Sequence, residues 1–375
     1  MLRVSSVTDL SAIARNCGVL NERSGSALLC AVVKANGYGH APLGGDGMLA
    51  VSTAALRGGA TWLAVAAADE ALSLRAAGIG CRVLTMGTAS TEEVDRLVSA
   101  DCDLAVWSTE AVDQALRSAG TTGGKARLHV KLDTGMGRLG TGDPAFAMEL
   151  VERIAADPNG ELVGVMTHFA TADEDDDSFL LSQLARFSDF AAEVKAKAPA
   201  ALAHAANSAA TLRLPATHFD MVRCGIAVYG LDPFGSDPAN QGLSPAIEWR
   251  SVIGRLSRFA PGDSAGYGRQ FIADRETVVA TVPVGYADGY RRVLGGRAEA
   301  IVSGRRVPVV GRVSMDNIAL DLGPEPEAEV GDEVVLIGSR GEETVLAEDL
   351  ARLADTINYE IVTGIGGRTV KTVAE

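Results

Sequence analysis

The stretch Ala31-Val32-Val33-Lys34-Ala35-Asn36-Gly37-Tyr38-Gly39-His40 turns from apolar to polar at a single lysine. Leu28 to Val33 is an unbroken apolar run, the pattern of a strand buried on both faces. Two glycines and a tyrosine follow Lys34, which predicts a flexible, polar loop at the C-terminal end of that strand. In α/β folds this end is where chemistry is usually placed. A lysine there can be a carbonyl-reactive amine if its surroundings lower its pKa from about 10.4. Taken singly, a solvated lysine closing a strand is the commoner case.

Outward from this stretch the same unit recurs. After Leu28–Lys34, apolar strand candidates fall at Trp62–Ala67, Arg82–Gly87, Asp103–Trp107, Ala126–Asp133, Leu162–Phe169, Leu202–Ser208 and Met221–Gly230. Helical patterns lie between them, among them Asp69–Ala77, Glu92–Ser99 and the long Ser178–Lys197. The last carries Phe179, Leu180, Leu184, Phe187 and Phe190 near helical spacing. Eight strand–helix alternations predict a (β/α)8 TIM-type barrel. A doubly wound sheet is the alternative, but no GxGxxG follows the first strand.

Around 231–243 the composition shifts to Asp, Pro, Gly, Ser and Asn, that of a linker. Short strands follow at Thr277–Val284, Ala300–Val302, Val307–Val313 and Glu333–Ile337, with one amphipathic helix near Val345–Ala354. We therefore expect a barrel over residues 1–236 and a β-rich C-terminal domain over 237–375. Residues before Asp9 are expected to add a strand to one or the other.

Composition narrows the function classes. The chain has 375 residues, 47% of them hydrophobic, enough for a sizeable core. Its formal charge of −14 argues against nucleic-acid or anionic-membrane partners. No basic region followed by an apolar run marks a secretion signal, and no stretch approaches the roughly 18 apolar residues of a membrane span. Five scattered cysteines with no CxxC pair suit reduced thiols in a cytoplasm. The acidic run 173–177 lacks the residue pattern of a calcium loop. No metal-ligand spacing and no GxSxG elbow is present, so neither a metal centre nor a serine hydrolase is expected.

Polar residues gather where the strand candidates end. They are Lys34 and Tyr38 after the first, Arg138 after the fifth, His168 on the sixth, His204, Asn207 and Ser208 on the seventh, and Arg223, Gly225 and Ile226 on the eighth. On the fifth strand, alternation puts His129, Lys131 and Asp133 on one face, which must point inward and be paired. Ser208 opens a helical segment, and barrel phosphate sites are built from the loops after strands seven and eight. A mouth lysine beside a phosphate site points to pyridoxal 5'-phosphate held as a Schiff base.

The opening stretch resembles the cofactor-attachment motif of the alanine racemase family. So do Val130-Lys131-Leu132-Asp133-Thr134-Gly135-Met136-Gly137-Arg138-Leu139-Gly140, His204-Ala205-Ala206-Asn207-Ser208, Val222-Arg223-Cys224-Gly225-Ile226-Ala227-Val228-Tyr229-Gly230, Gly285-Tyr286-Ala287-Asp288-Gly289-Tyr290, Gly311-Arg312-Val313-Ser314-Met315-Asp316 and Asn358-Tyr359-Glu360, in order along both expected domains. The resemblance implies a racemase that interconverts L- and D-alanine for a bacterial cell wall, in the cytoplasm. Lys34 and Tyr267 would be the bases on opposite faces of the substrate. Arg223 would face the pyridine nitrogen with His168 beside it, and Tyr38, Ser208, Gly225, Ile226 and Tyr359 would hold the phosphate, with Asn207 among the cofactor residues. Arg138 and the Met315 amide would hold the substrate carboxylate, supported by Asp316. Tyr286, Arg312 and Asp173 would line the entrance, and Lys131 would be the lysine often carbamylated in the family. Tyr267 would come from a second subunit, which implies a head-to-tail homodimer with shared sites.

The sequence departs from the family pattern at Gly37 (often alanine), Cys224 (often proline) and Gly266 (serine or threonine), and in its glycine-rich 42–47 loop. Gly266 adjoins Tyr267, which leaves a racemase preferring serine, or accepting several amino acids, as a rival. A related decarboxylase usually carries a carboxylate at the ring nitrogen, where this chain has Arg223. A non-enzymatic cofactor carrier would give Tyr267, Met315 and Asp316 no purpose.

Overall fold

The computed structural model describes residues 2–42 and 46–375, so Gly44 and Gly45 of the glycine-rich loop lie outside the described residues. Two compact units form, one from residues 13–37 and 48–228, the other from the described residues within 1–12, 38–47 and 229–375.

Apart from the N-terminal strand β1 (Val4–Asp9), the first eight strands belong to the first unit. They are β2 (Leu28–Val32), β3 (Trp62–Val65), β4 (Arg82–Thr85), β5 (Asp103–Val106), β6 (Ala126–Lys131), β7 (Gly160–Met166), β8 (Leu202–His204) and β9 (Met221–Cys224). All pair in parallel in chain order from β2 to β8, and β9 returns to pair with β2. Between β8 and β9 the ring closes through separate bonds. Asp220 N–H donates to Ala203 O at 3.0 Å and Arg223 N–H to Ala206 O at 2.9 Å. The (β/α)8 barrel is therefore the observed architecture.

Local signals start the helices between the strands. Ser90 and Glu93 cap each other's backbone ahead of Thr91–Ser99. Asp143 caps Pro144–Ala156, with the proline at a position where its missing N–H costs nothing. The helix Ser178–Lys197 buries Leu180, Phe187, Phe190 and Val194. Phe179, which the spacing placed on the same stripe, is instead 44% exposed, and Gln183 is buried. The polar side chain is drawn in because it satisfies backbone groups at the barrel mouth, as described below.

At the N-terminal ends of the strands the barrel is closed by a polar cluster. Arg82 forks onto buried Asp103 (2.8 and 2.9 Å) and lies 4.9 Å from the centre of the Trp62 ring, while Arg127 pairs with Asp101 at 2.5 Å. In barrels this face serves stability, which leaves the opposite face for chemistry.

The second unit is a mixed sheet. Its strands are β10 (Ile247–Val252), β11 (Arg255–Phe259), β14 (Thr277–Val282), β15 (Glu299–Val302), β16 (Arg305–Val310), β17 (Ile318–Asp321), β18 (Glu333–Arg340), β19 (Glu343–Val345) and β20 (Val370–Ala374), joined by β1. β1 runs antiparallel to β10 and parallel to β20, so the N-terminal residues complete the β unit. A separate small hairpin pairs β12 (Ser264–Ala265) with β13 (Phe271–Ile272). Helices Ala347–Leu353 and Asn358–Thr363 follow β19.

Candidate active site

Lys34 follows β2 after Val33, but what comes next is not the flexible loop expected from its glycines. Ala35 (φ 53°, ψ 49°), Asn36 (φ 51°, ψ 52°), Gly37 (φ 60°, ψ 47°) and Tyr38 (φ 53°) wind into a left-handed turn. Gly37 N–H donates to Val33 O at 2.9 Å across it. Such backbone costs about 1–2 kcal/mol per non-glycine residue, so its surroundings must impose it. Glu70, in the first turn of the helix Ala68–Ala76, supplies one anchor. One of its oxygens accepts Ala35 N–H at 2.6 Å, and the other accepts Ala66 and Ala67 N–H at 2.9 and 3.0 Å. Burial, and then the charge of Arg138, lowers the pKa of Lys34, with Glu70 acting in the opposite sense.

The inward face of β6 carries His129 and Lys131, both buried. His129 Nδ1 lies 2.8 Å from His204 Nε2, and His204 Nδ1 lies 2.9 Å from Arg223 Nη1. A guanidinium only donates, so the direction of the whole chain is fixed. Arg223 donates to His204 Nδ1, His204 donates from Nε2 to His129 Nδ1, and the His129 proton sits on Nε2. That nitrogen is buried with no acceptor among the described residues, and its ring stands edge-on to Trp62 at 5.7 Å. Burial, reinforced by nearby guanidiniums, pushes His129 down to about 3 and His204 well below the usual range, so both rings stay neutral.

The other Arg223 nitrogen, Nη2, donates to Thr167 O (2.7 Å) and Ala205 O (2.9 Å) and approaches His168 Nδ1 at 3.4 Å. Burial lowers Arg223 only to about 10, so it remains a cation at neutral pH. Asp133 takes no part in the inward network expected of it. Its carboxylate accepts the N–H groups of Gly135, Met136 and Gly137 at 2.8–2.9 Å and shapes the loop leading to Arg138. The physical reason is local: three adjacent amides outcompete a more distant partner.

Lys131 is 5% exposed, and its amine forms no hydrogen bond within the described residues. Burial, followed by Arg223 and Arg138, brings its pKa to about 8. His168 is held well below its usual value by burial and then by Arg223, Lys131, Arg138 and Lys34. Four basic side chains thus act on one histidine at the mouth of a barrel whose chain carries a net charge of −14. Such a cluster calls for anions.

Gln183, which the sequence reading passed over, fixes this strand end. It accepts Ala170 N–H at 2.9 Å and donates to His168 O and Thr134 Oγ1, each at 3.2 Å. Its signal was a glutamine inside the apolar stripe of Ser178–Lys197. Glu70 was missed as well, because an acidic residue in a helix's first turn looks like an ordinary cap.

Ser208 is buried, and its Oγ accepts Gly225 N–H at 2.9 Å and Ala227 N–H at 3.4 Å, so the loops after β8 and β9 meet at this hydroxyl. Asn207 caps the short helix Ser208–Arg213 through Ala210 N–H at 3.0 Å. Asp173 is exposed, and within the acidic run Asp176 and Asp177 are occupied by Ser178 N–H and Arg213.

In the β unit, Tyr38 and Tyr359 are brought together, with ring centres 6.0 Å apart, and the Tyr38 ring lies tilted beside that of Tyr229 at 5.2 Å. Tyr267 sits on the tip of the β12–β13 hairpin and is 70% exposed. It and Arg312 line one concavity of about 660 Å³. Gly266 has φ 73° and ψ −175°, a backbone that serine would adopt only with strain. Tyr286, Met315, Asp316 and Arg312 are all exposed on the adjoining loops. Among the described residues, no group of three or more His, Cys, Asp or Glu side chains is placed to hold a metal, and no helix is long and apolar enough to cross a membrane.

Comparison with known proteins gives a consistent picture. Residues 8–233 match the family model of the alanine racemase N-terminal domain, and residues 246–373 that of the C-terminal domain. The chain is 42% identical to an alanine racemase of Symbiobacterium thermophilum, over 96% of this chain and 94% of that protein. It is 41% identical to one of Mycobacterium tuberculosis, over 100% and 97% respectively. Among solved structures, an alanine racemase from D-cycloserine-producing Streptomyces lavendulae superposes with a TM-score of 0.93 at 38% identity, covering 100% of this chain and 98% of that one. The alanine racemase of Bacillus anthracis with bound L-Ala-P does so with a TM-score of 0.88 at 36% identity, covering 100% and 96%.

Proposed function

The chain belongs to the alanine racemase family, and on that premise we propose that it interconverts L- and D-alanine using pyridoxal 5'-phosphate, with Lys34 and Tyr267 as its two bases. The observation that carries the reading is the barrel mouth itself. Arg223 lies 3.4 Å from His168, and Lys34, Lys131 and Arg138 act on it as well. Only Glu70 and Asp133 oppose the charge around the two lysines, an excess of positive charge suited to a phosphate and an amino-acid carboxylate.

The residues present fit the cofactor. The depressed pKa of Lys34 gives its Nζ a neutral fraction able to hold a carbonyl and to move a proton. Ser208 Oγ and the neighbouring amides of Gly225 and Ile226, together with Tyr38 and Tyr359, would take the phosphate. Bound there, the pyridine ring spreads the charge left when the substrate loses its α-proton.

Arg223 would face the ring nitrogen. Its hydrogen bonds to His204, Thr167 and Ala205 hold the guanidinium in place, and a cation with a pKa of about 10 does not surrender its proton at neutral pH. Withholding that proton moderates the ring's pull on electrons and favours simple proton return over side reactions. Lys34 Nζ would exchange the α-proton on one face and Tyr267 Oη on the other, with Arg138 and the Met315 amide fixing the carboxylate. Asp316 would support them, and Tyr286, Arg312 and Asp173 would line the entrance. Tyr267 would be supplied by a second copy of the chain in a homodimer, in keeping with its exposure here. The compartment proposed is the cytoplasm.

Incubating the enzyme with L-alanine in deuterated water tests the reading. Optical rotation should vanish as deuterium enters at Cα, and the visible cofactor absorbance should be lost in Lys34→Ala. Carbon dioxide release without racemisation would overturn the proposal, and faster turnover of L-serine would reassign the substrate.

A further inference from the structure

Asp288 lies within one of the motif stretches, yet none of the roles above uses it. Its carboxylate is fully buried and accepts five hydrogen bonds. Arg3 donates from Nη2 to Oδ1 at 2.6 Å and from Nη1 to Oδ2 at 3.3 Å. Arg368 donates from Nε to Oδ1 at 3.0 Å and from Nη2 to Oδ2 at 2.9 Å, and Gly285 N–H donates to Oδ2 at 3.0 Å. Burial would raise the Asp288 pKa, but the two arginines more than offset it and hold the group below the usual carboxylate range. Two guanidiniums on one carboxylate leave a positive charge over. Arg368 places it on Asp316, donating from Nη1 to Oδ1 at 2.8 Å.

The turn that carries Asp288 is seated on the loop that carries Met315. Tyr286 N–H donates to Ser314 O and Ala287 N–H to Met315 O, both at 3.1 Å. A Cβ at Gly285 would lie 2.4 Å from both of those carbonyl oxygens, so nothing larger than glycine allows the approach. Arg3 also donates to Pro283 O at 2.7 Å, and Gly366 N–H to Asp288 O at 2.7 Å. The buried carboxylate therefore joins the first residues of the chain, the segment before the last strand, and the 283–288 and 314–316 loops.

We infer that Asp288 and Arg368 are positioning residues that set the Met315 amide and Asp316 for the substrate carboxylate. This rests on the reading that Met315 and Asp316 act on the substrate. Doubly forked carboxylates hold geometry tightly because both lone-pair directions of each oxygen are engaged. Asp288 fixes the backbone under Met315, and Arg368 carries that fixed position outward to the Asp316 side chain.

The test compares Asp288→Asn and Arg368→Lys with Asp316→Asn and with Arg340→Ala, a change of a surface ion-pair residue on β18. Melting temperature, visible cofactor absorbance, kcat and KM for alanine, and inhibition by propionate are measured for each. Arg368→Lys keeps the charge but loses the two-pronged fork onto Asp288 that leaves a third donor for Asp316, so it remains informative if Asp288→Asn does not fold. The expected result is KM for alanine raised tenfold or more, with propionate inhibition weakened in parallel. Both kcat and the cofactor absorbance should stay within about threefold of wild type, and Arg340→Ala should leave KM unchanged. A lowered melting temperature with unchanged KM in both variants, while Asp316→Asn raises KM, would make the cluster a structural staple and overturn the inference alone. Unchanged KM in Asp316→Asn as well would overturn the inference together with the reading beneath it.

Discussion

Lys34 is half-buried and Lys131 buried, and both have lowered pKa values, but the extent of burial and the hydrogen bonds around them differ. Lys34 has Glu70 nearby, whose charge resists the lowering caused by burial and Arg138. Glu70→Gln removes that resistance, so the Lys34 pKa falls further and the amine becomes neutral at lower pH. The acid limb of the kcat/KM profile should shift to lower pH, and an unshifted limb would mean that it reports another group. Lys131 has Asp133 acting in that same sense, but burial, Arg223 and Arg138 outweigh it. Its amine meets no hydrogen-bond acceptor among the described residues, and it is half neutral near pH 8. We propose that it adds carbon dioxide: an N–C bond forms, one proton leaves, and the resulting carboxylate answers Arg138. At fixed dissolved carbon dioxide, reloading should be about tenfold slower or more at pH 6.5 than at pH 8, because the protonated amine cannot react. Labelled carbon dioxide should give a carbamate carbon resonance that is missing in Lys131→Met.

At the scale of elements, what matters is how short segments are pressed into unfavourable shapes. The left-handed turn after β2 leads into Gly39, with φ 81°, where an added Cβ would meet Val362 O at 2.4 Å. Val362 belongs to the helix Asn358–Thr363, which also carries Tyr359. That helix is tied down through Asn358, whose side-chain amide donates to Asp232 O and Glu348 Oε1, each at 2.8 Å. Gly39→Ala should cost roughly 2–4 kcal/mol, combining backbone strain with overlap, and should weaken cofactor binding by displacing Tyr359. Gly78 has a similar φ of 85° but open space around it. Gly78→Ala should cost only about 1–2 kcal/mol and leave cofactor affinity unchanged, as equilibrium unfolding and cofactor titration would record. Equal effects at the two sites would remove the close approach as the cause.

Across the whole molecule, the groups proposed for one reaction are divided between two units of the chain. The barrel unit holds Lys34, Lys131, Arg138, His168, Ser208 and Arg223, and the β unit holds Tyr267, Met315 and Asp316. Tyr267, Tyr286 and Met315 are 70%, 44% and 51% exposed, a large commitment of apolar surface for residues with proposed roles. A second copy covering them follows from the family reading. Mixing Lys34→Ala with Tyr267→Phe should then restore activity, since one of the two shared sites in a mixed dimer is intact. Subunit exchange without recovered activity would place both bases on one chain.

The sequence by itself determined the barrel, the β-rich unit after it and the residues gathered at the strand ends. Those features depend on periodic burial and on motifs contiguous in the chain, and both are local. The positions of Lys34, Arg223 and Ser208 at strand ends were legible because apolar runs mark the strands beside them. Only the tertiary structure decided the left-handed turn behind Lys34, where the glycines had suggested a loose loop. It alone turned Asp133 back onto its own loop, buried Gln183 in place of Phe179, and set the direction of the His129–His204–Arg223 chain. It also joined Arg3 and Arg368, 365 positions apart, on Asp288. Charge balance and hydrogen-bond satisfaction in a buried site depend on neighbours brought together by folding, and the order of residues along a chain does not carry them.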